Sequence, residues 1–167
     1  KALFGADLAI PASAIRMVRF LGGRAVYLSD LTPSEYRFTP YLTTPRPLSN
    51  DLSVAGRPLR LGGVEFPKGL GMHSECEAVY LLEGKYRRFL SLAGVDDAAG
   101  ATGSVIFSVD VDGRRVLTSD VRTSAGPSLE VGPFDLTGKT RLTLRVEFGP
   151  FADVQDEADW CDAVLVK

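Results

Sequence analysis

Five carboxylates, Asp153, Asp156, Glu157, Asp159 and Asp162, fall within ten residues and surround Trp160, the only tryptophan of the chain. Asp96 and Asp97 form a second acidic pair. Like charges this close repel unless a cation or hydrogen-bond donors neutralise them, and hard carboxylate oxygens suit Ca2+. The candidate metal ligands are Asp96, Asp97, Asp156 and Asp162, helped by backbone carbonyls. The plain alternative is a solvated acidic loop. A tryptophan beside carboxylates is also how proteins hold sugars, with the ring stacked on C–H faces and the acids accepting hydroxyl protons. Strict alternation along Ala158–Ala163 puts Asp159 and Cys161 on one strand face and Trp160 and Asp162 on the other. A core tryptophan with salt-bridged neighbours is the competing reading.

His73 is the only histidine and closes the run Gly69-Leu-Gly-Met-His-Ser74. The run superficially looks like a dinucleotide loop, but the third glycine is absent and no helical pattern follows. The segment Ser108-Val-Asp-Val-Asp-Gly113 imitates the start of an EF-hand loop. Its first position is Ser and its twelfth is Ser119, so it reads as a hairpin instead. There is no Gly-x-Ser-x-Gly elbow, no His-Glu-x-x-His and no P-loop, and the chain is not expected to be an enzyme. Cys76 and Cys161 are either two small buried hydrophobes or, if their strands are neighbours in an oxidising compartment, a disulfide.

The elements that must position these groups repeat with period two. Val105, Phe107, Val109 and Val111 share one face before the Asp112-Gly113 turn. Leu142, Leu144, Val146 and Phe148 alternate with Arg141, Thr143, Arg145 and Glu147. Residues 58–66 read as strand, Gly62-Gly63 turn, strand. Further strands are expected over 76–82, 87–95, 129–136 and 158–166. No segment shows a clean helical period, which predicts an all-β, antiparallel β-sandwich. Residues 1–24 read as a separate N-terminal hairpin, the end of an upstream domain or an added edge, before a sandwich over 25–167. The stretch 32–47 carries four prolines with Tyr36, Phe38 and Tyr41 between them, and is expected to be a long functional loop.

A net charge of −2 argues against a nucleic-acid backbone binder. One His and two Cys exclude a Cys/His-rich zinc module. No apolar run approaches the roughly 20 residues needed to span a bilayer, so no membrane insertion is expected. The first residues lack both a Met and a signal pattern, and the chain reads as a piece of a longer protein.

Seven segments carry a family resemblance, in this order: Tyr27-Leu-Ser-Asp-Leu31, Pro58-Leu-Arg-Leu-Gly-Gly63, Lys68-Gly-Leu-Gly-Met-His-Ser74, Tyr86-Arg-Arg-Phe89, Gly94-Val-Asp-Asp97, Gly103-Ser-Val-Ile-Phe107 and Ala158-Asp-Trp-Cys-Asp-Ala163. The series resembles the NPCBM family of carbohydrate-binding modules, over about residues 27–166. The resemblance implies a galactose-binding-like β-sandwich of jelly-roll type. It also implies a non-catalytic module attached to secreted glycoside hydrolases or other multidomain surface proteins, hence an extracellular, periplasmic or cell-surface location. Members that bind sugar resemble galactoside readers with a structural calcium ion. The family's motifs fall on Gly69–His73, Val95–Asp97 and Ala158–Trp160. Two positions depart: Glu157 stands where the family often has His, and Cys161 where it often has Ala. The expected carbohydrate-binding residues are His73, Asp97, Asp159 and Trp160, with Tyr36 and Tyr41 from the aromatic loop. The expected partners are a galactose-type glycan and other domains of the parent chain. The alternative is a structural or protein-interaction sandwich that binds no sugar.

Overall fold

The computed structural model describes residues 11–14, 23–41 and 45–167. Within them the chain forms fourteen strands. In order these are β1 (Ala25–Tyr27), β2 (Glu35–Phe38), β3 (Ser49–Asn50), β4 (Leu59–Leu61), β5 (Val64–Phe66), β6 (Gly69–His73) and β7 (Cys76–Leu81). There follow β8 (Arg88–Val95), β9 (Ser104–Val111), β10 (Arg114–Thr118), β11 (Arg122–Thr123), β12 (Leu129–Asp135), β13 (Arg141–Phe148) and β14 (Glu157–Val166). One sheet runs β12-β8-β14-β6-β3, with β1 on the far half of β14. The other runs β10-β9-β13-β7-β2, with β11 beside β9. All pairings are antiparallel. No helix among the described residues is long and apolar enough to cross a membrane.

The two sheets close over a shared apolar core because alternate side chains of each point inward. The second sheet supplies Val105, Phe107, Val109, Leu142, Leu144 and Val146. The first supplies Leu70, Met72, Phe89, Ala93, Val95, Ala158 and Trp160. Outward rows of the second sheet carry charge. Glu77 takes Arg37 at 3.4 Å and Arg145 at 2.9 Å, Arg145 and Arg115 both pair with Asp110, and Arg115 reaches Glu147 at 3.6 Å. This ladder keeps an exposed sheet face polar.

The hairpin β4–β5 is a third layer on the outward face of the first sheet. Leu59, Leu61 and Phe66 bury themselves against Cys161, with Leu92 alongside. Two glycines make room on this face, Gly94 for the hairpin and Gly71 for the 52–54 segment that precedes it. A Cβ at Gly94 would lie 3.0 Å from Leu61 Cδ2, and one at Gly71 would lie 2.4 Å from the Leu52 carbonyl oxygen.

Two segments differ from the sequence reading. Gly69–His73, absent from the strands read in the sequence, is a fully buried strand whose glycines accommodate crossing backbone. Glu35–Phe38, within the proline-rich stretch, is a strand at a sheet edge, where flanking prolines cost no ladder bonds. The strands of the hairpin expected before residue 24 lie outside the described residues, apart from a 3-10 turn at Ala12–Ala14. Neither Cys76 nor Cys161 is in a disulfide. Cys76 is in the core between the sheets and Cys161 is under the β4–β5 hairpin, so the first sheet separates them and no disulfide forms.

Candidate functional site

The acidic cluster is dispersed by the fold, and most of its members are occupied by hydrogen-bond donors. Asp156 is fully buried; it accepts a 2.5 Å bond from the Ser74 hydroxyl and a 2.8 Å bond from the Ser104 N–H. It thereby joins the end of β6 to the start of β9. Asp97 accepts from the N–H groups of Gly62 at 2.8 Å and Gly63 at 2.7 Å, which clamps the β4–β5 turn. Asp96 is buried and accepts from Arg60 N–H at 3.2 Å and Ala98 N–H at 2.8 Å. Asp162 sits at a β-bulge between Cys161 and Val164, in a left-handed conformation with φ 46°. The bulge shifts the phase of the strand, so Asp162 leaves the Trp160 face and Ala163 and Leu165 enter the core. Asp162 instead lines an outward groove with Leu90, Leu92 and Pro133. Among the described residues no three His, Cys, Asp or Glu side chains converge as metal ligands. The set Asp96, Asp97, Asp156 and Asp162 is therefore corrected: the four do not form one site.

Asp159 differs from these. It is fully buried beneath the hairpin, and neither of its oxygens has a hydrogen-bond partner. It lies opposite Gly94 and diagonal to Asp96 on the same face. Burial, and then the Asp96 carboxylate, push its carboxyl up to about 10. It has no path to a sugar, which corrects its expected role.

Trp160 is likewise corrected. Its exposure is 0%, and it meets Phe107 of the opposite sheet edge to face at 5.0 Å between ring centroids. It is a core residue. Asp97, as a clamp on the hairpin, is structural as well. Tyr36 is half-buried and its hydroxyl donates to the Arg46 carbonyl at 2.9 Å, so it fastens the proline-rich loop and offers no ring face.

Two of the expected residues reach one rim. His73 ends β6 and is 5% exposed. Its Nδ1 lies 2.8 Å from the Ser74 carbonyl, which can only accept, so Nδ1 carries the proton and donates. Phe38 stands against the imidazole at 6.2 Å, near perpendicular. Tyr41 is 59% exposed and rests on Phe148 at 5.9 Å, again edge to face. Phe151, 57% exposed, lies on the β13–β14 turn just beyond Phe148. Thr102 pins that turn to the β8–β9 loop by donating from its hydroxyl to Gln155 Oε1 at 2.6 Å. Glu157, beside His73 in the β6–β14 register, pairs with Arg57 at 3.2 Å. The pole thus offers an aromatic half and a polar half. The opposite pole carries Arg24 and Lys167, joined by two hydrogen bonds. Sequence reasoning missed Phe148, Phe151, Arg57 and Glu157 as rim residues. The Phe148-Gly-Pro-Phe151 turn was a readable signal for the first two; nothing local marks Arg57.

Comparison with known proteins agrees with this architecture. The NPCBM/NEW2 domain model matches residues 24–166. The CBM51 module of Clostridium perfringens GH95, solved with methyl-galactose, is 30% identical with a TM-score of 0.77, over 85% of this chain and 99% of that one. A Clostridium perfringens ZmpB structure, comprising the M60 catalytic domain with two CBM51 domains, is 36% identical with a TM-score of 0.77, over 86% of this chain and 15% of that one. Another ZmpB structure, CBM51-2 with GlcNAc and INT domains, is 29% identical with a TM-score of 0.78, over 86% of this chain and 32% of that one. A Renibacterium salmoninarum protein named as an endo-alpha-N-acetylgalactosaminidase is 32% identical over 108 residues, which is 65% of this chain and only 7% of that protein. The chain belongs to the NPCBM/NEW2 domain family and is a non-catalytic, galactose-binding-like module of the carbohydrate-binding kind.

Proposed function

We propose that the chain binds a short glycan at the His73–Tyr41 pole, as a module of a larger extracellular or surface protein. The exposed Tyr41–Phe148 pair, with Phe151 next to it and His73 and Glu157 across the rim, carries this reading. Exposed rings supply flat apolar faces for sugar C–H groups, and His73 Nε2 and the Glu157 carboxylate supply acceptors for hydroxyls. Galactose-type or N-acetylglucosamine-type residues are the ligand class, by analogy with the methyl-galactose and GlcNAc complexes of the similar modules. A shallow rim gives affinity of roughly 10⁻⁵ to 10⁻³ M, or about −7 to −4 kcal/mol. Attachment to a parent chain makes that useful by raising effective concentration.

Titration of methyl-galactoside and GlcNAc tests the reading. Tyr41→Ala and Phe151→Ala are expected to weaken binding at least tenfold while leaving the melting temperature nearly unchanged, because both rings are mostly solvent-exposed. A chain that binds neither sugar, nor any glycan on an array, would be a structural or interaction module instead.

The calcium expected from the sequence is proposed at a different place. The partnerless oxygens of Asp159, beside Asp96, fit a divalent cation, whose charge would favour the ionised form that burial disfavours. Asp159 and Asp96 would hold it, and its part would be to stabilise the hairpin layer.

A further inference from the structure

Among the described residues, the cation paired with Glu157 on the polar half of the rim is Arg57. Glu157 opens β14 directly opposite His73 of β6. Inward positions are Ala158 on β14 and Met72 on β6, so Glu157 and His73 stand side by side on the outward row, with Cβ atoms about 5 Å apart for an antiparallel pair. Arg57 donates from one nitrogen to Glu157 Oε2 at 3.2 Å and to the Ala98 carbonyl at 3.3 Å. Among the described residues no hydrogen bond reaches Glu157 Oε1, and a carboxylate oxygen can only accept. The remaining charge here is acidic. Asp156 lies near both His73 and Asp153, and Glu157 follows it.

We infer that Glu157 is the specificity-determining acceptor of this rim and that the site takes uncharged glycans, discriminating against sialylated, uronic or sulfated ones. The inference rests on the carbohydrate reading above. An uncharged ring brings hydroxyl donors, which match Glu157 Oε1 and His73 Nε2, both acceptors. An anionic sugar brings acceptors and a like charge. To bind, it would have to take Arg57 from Glu157 and leave that carboxylate uncompensated. Specificity of this kind comes from the repulsive element as much as from the attractive one.

The test titrates the wild-type chain, Glu157→Gln and Arg57→Met with a neutral and an anionic probe, methyl-galactoside and sialyl-galactoside. Wild type is expected to bind the neutral probe at least tenfold more tightly. Glu157→Gln should weaken the neutral probe about tenfold and, by releasing Arg57, strengthen the anionic one, so that the preference narrows or inverts. Arg57→Met, which removes the paired cation, should bind the anionic probe even less than wild type does. Thermal melts of both variants should stay close to wild type, since Arg57 is half-exposed and Glu157→Gln keeps the shape of the side chain. Equal wild-type affinity for the two probes overturns the inference, as does Glu157→Gln leaving both affinities unchanged. In those cases sugar binding itself survives. Failure of wild type to bind either probe, GlcNAc or any glycan on an array overturns the carbohydrate reading and this inference together, and binding of an anionic glycan alone overturns the inference.

Discussion

Trp160 and Phe107 meet edge to face across the two sheets, with ring planes at 88°, and the tryptophan is wholly removed from solvent. The largest side chain of the acidic motif is therefore the bolt between the layers. Trp160→Ala is expected to cost about 3 to 5 kcal/mol through the cavity it leaves. Trp160→Phe should cost less, because the indole Nε1 has no hydrogen-bond partner to lose. Denaturant unfolding measures both. The fraction that remains folded should bind glycan as wild type does, so a selective loss of binding in stable Trp160→Phe would return the residue to the site.

Asp97 is expected to act on the hairpin, not on a ligand. Asp97→Ala removes the acceptor for the Gly62 and Gly63 N–H groups, at about 1 to 3 kcal/mol. The hairpin roofs Cys161, whereas Cys76 lies in the inter-sheet core. Burial also pushes the Cys76 thiol up to about 12, keeping it protonated. In the native state, thiol labelling of Cys161 should accelerate in Asp97→Ala while Cys76 stays protected. Equal acceleration at both positions would mean global unfolding and would count against a local clamp.

The charge ladder on the outer sheet face predicts acid sensitivity. Burial alone would raise the Asp110 carboxyl, but hydrogen bonds from Arg145 and Arg115 outweigh it and hold the group below its ordinary 3.8. A depressed carboxyl contributes stability that is fully present above the unfolded value and is lost as pH falls through the folded one. Unfolding free energy should thus be flat near neutrality and decline below about pH 4. Asp110→Asn should lower stability at pH 7 by about 1 to 3 kcal/mol, since Arg145 and Arg115 lose their shared partner. It should also flatten the acid limb. A variant whose acid limb matches wild type would assign the sensitivity to other carboxylates.

The strands were readable because half-buried strands advertise themselves: Val105 to Val111 and Leu142 to Phe148 alternate as the two faces demand. β6 was not, since Gly69 and Gly71 are chosen for the backbone that crosses them and carry no apolar signal. The acidic motif misled for a related reason. Its residue types match a sugar or metal site, but Trp160 and Asp159 alternate between core and hairpin layer, and the bulge at Asp162 cannot be seen in a period. Tyr41 and His73 do reach the rim, through segments 32 residues apart that only the closing of the sandwich brings to one pole. Arg57 comes from a loop whose composition says nothing of Glu157, a hundred residues later.

The last expectation concerns Asp159, which is buried with both oxygens unpartnered next to Asp96. With its carboxyl pushed up to about 10, Asp159 holds a proton near neutral pH, and a divalent cation would bind by displacing that proton. With a divalent cation in place, the folded state gains RT ln(1 + [L]/Kd), about 2.7 kcal/mol at a hundredfold excess over Kd. For a domain of this size that raises the melting midpoint by roughly 5 to 10 °C. Calcium should therefore raise the midpoint and EDTA lower it. Asp159→Asn should abolish the response, because the amide offers one oxygen and no charge. The same variant should remain folded without calcium, as its N–H can donate to Asp96 in place of the missing cation. Terbium gives an independent readout: excitation of Trp160, the adjacent residue, should sensitise its emission in wild type and not in Asp159→Asn. A midpoint indifferent to calcium and to EDTA would assign the neutralising charge to a proton held between Asp159 and Asp96.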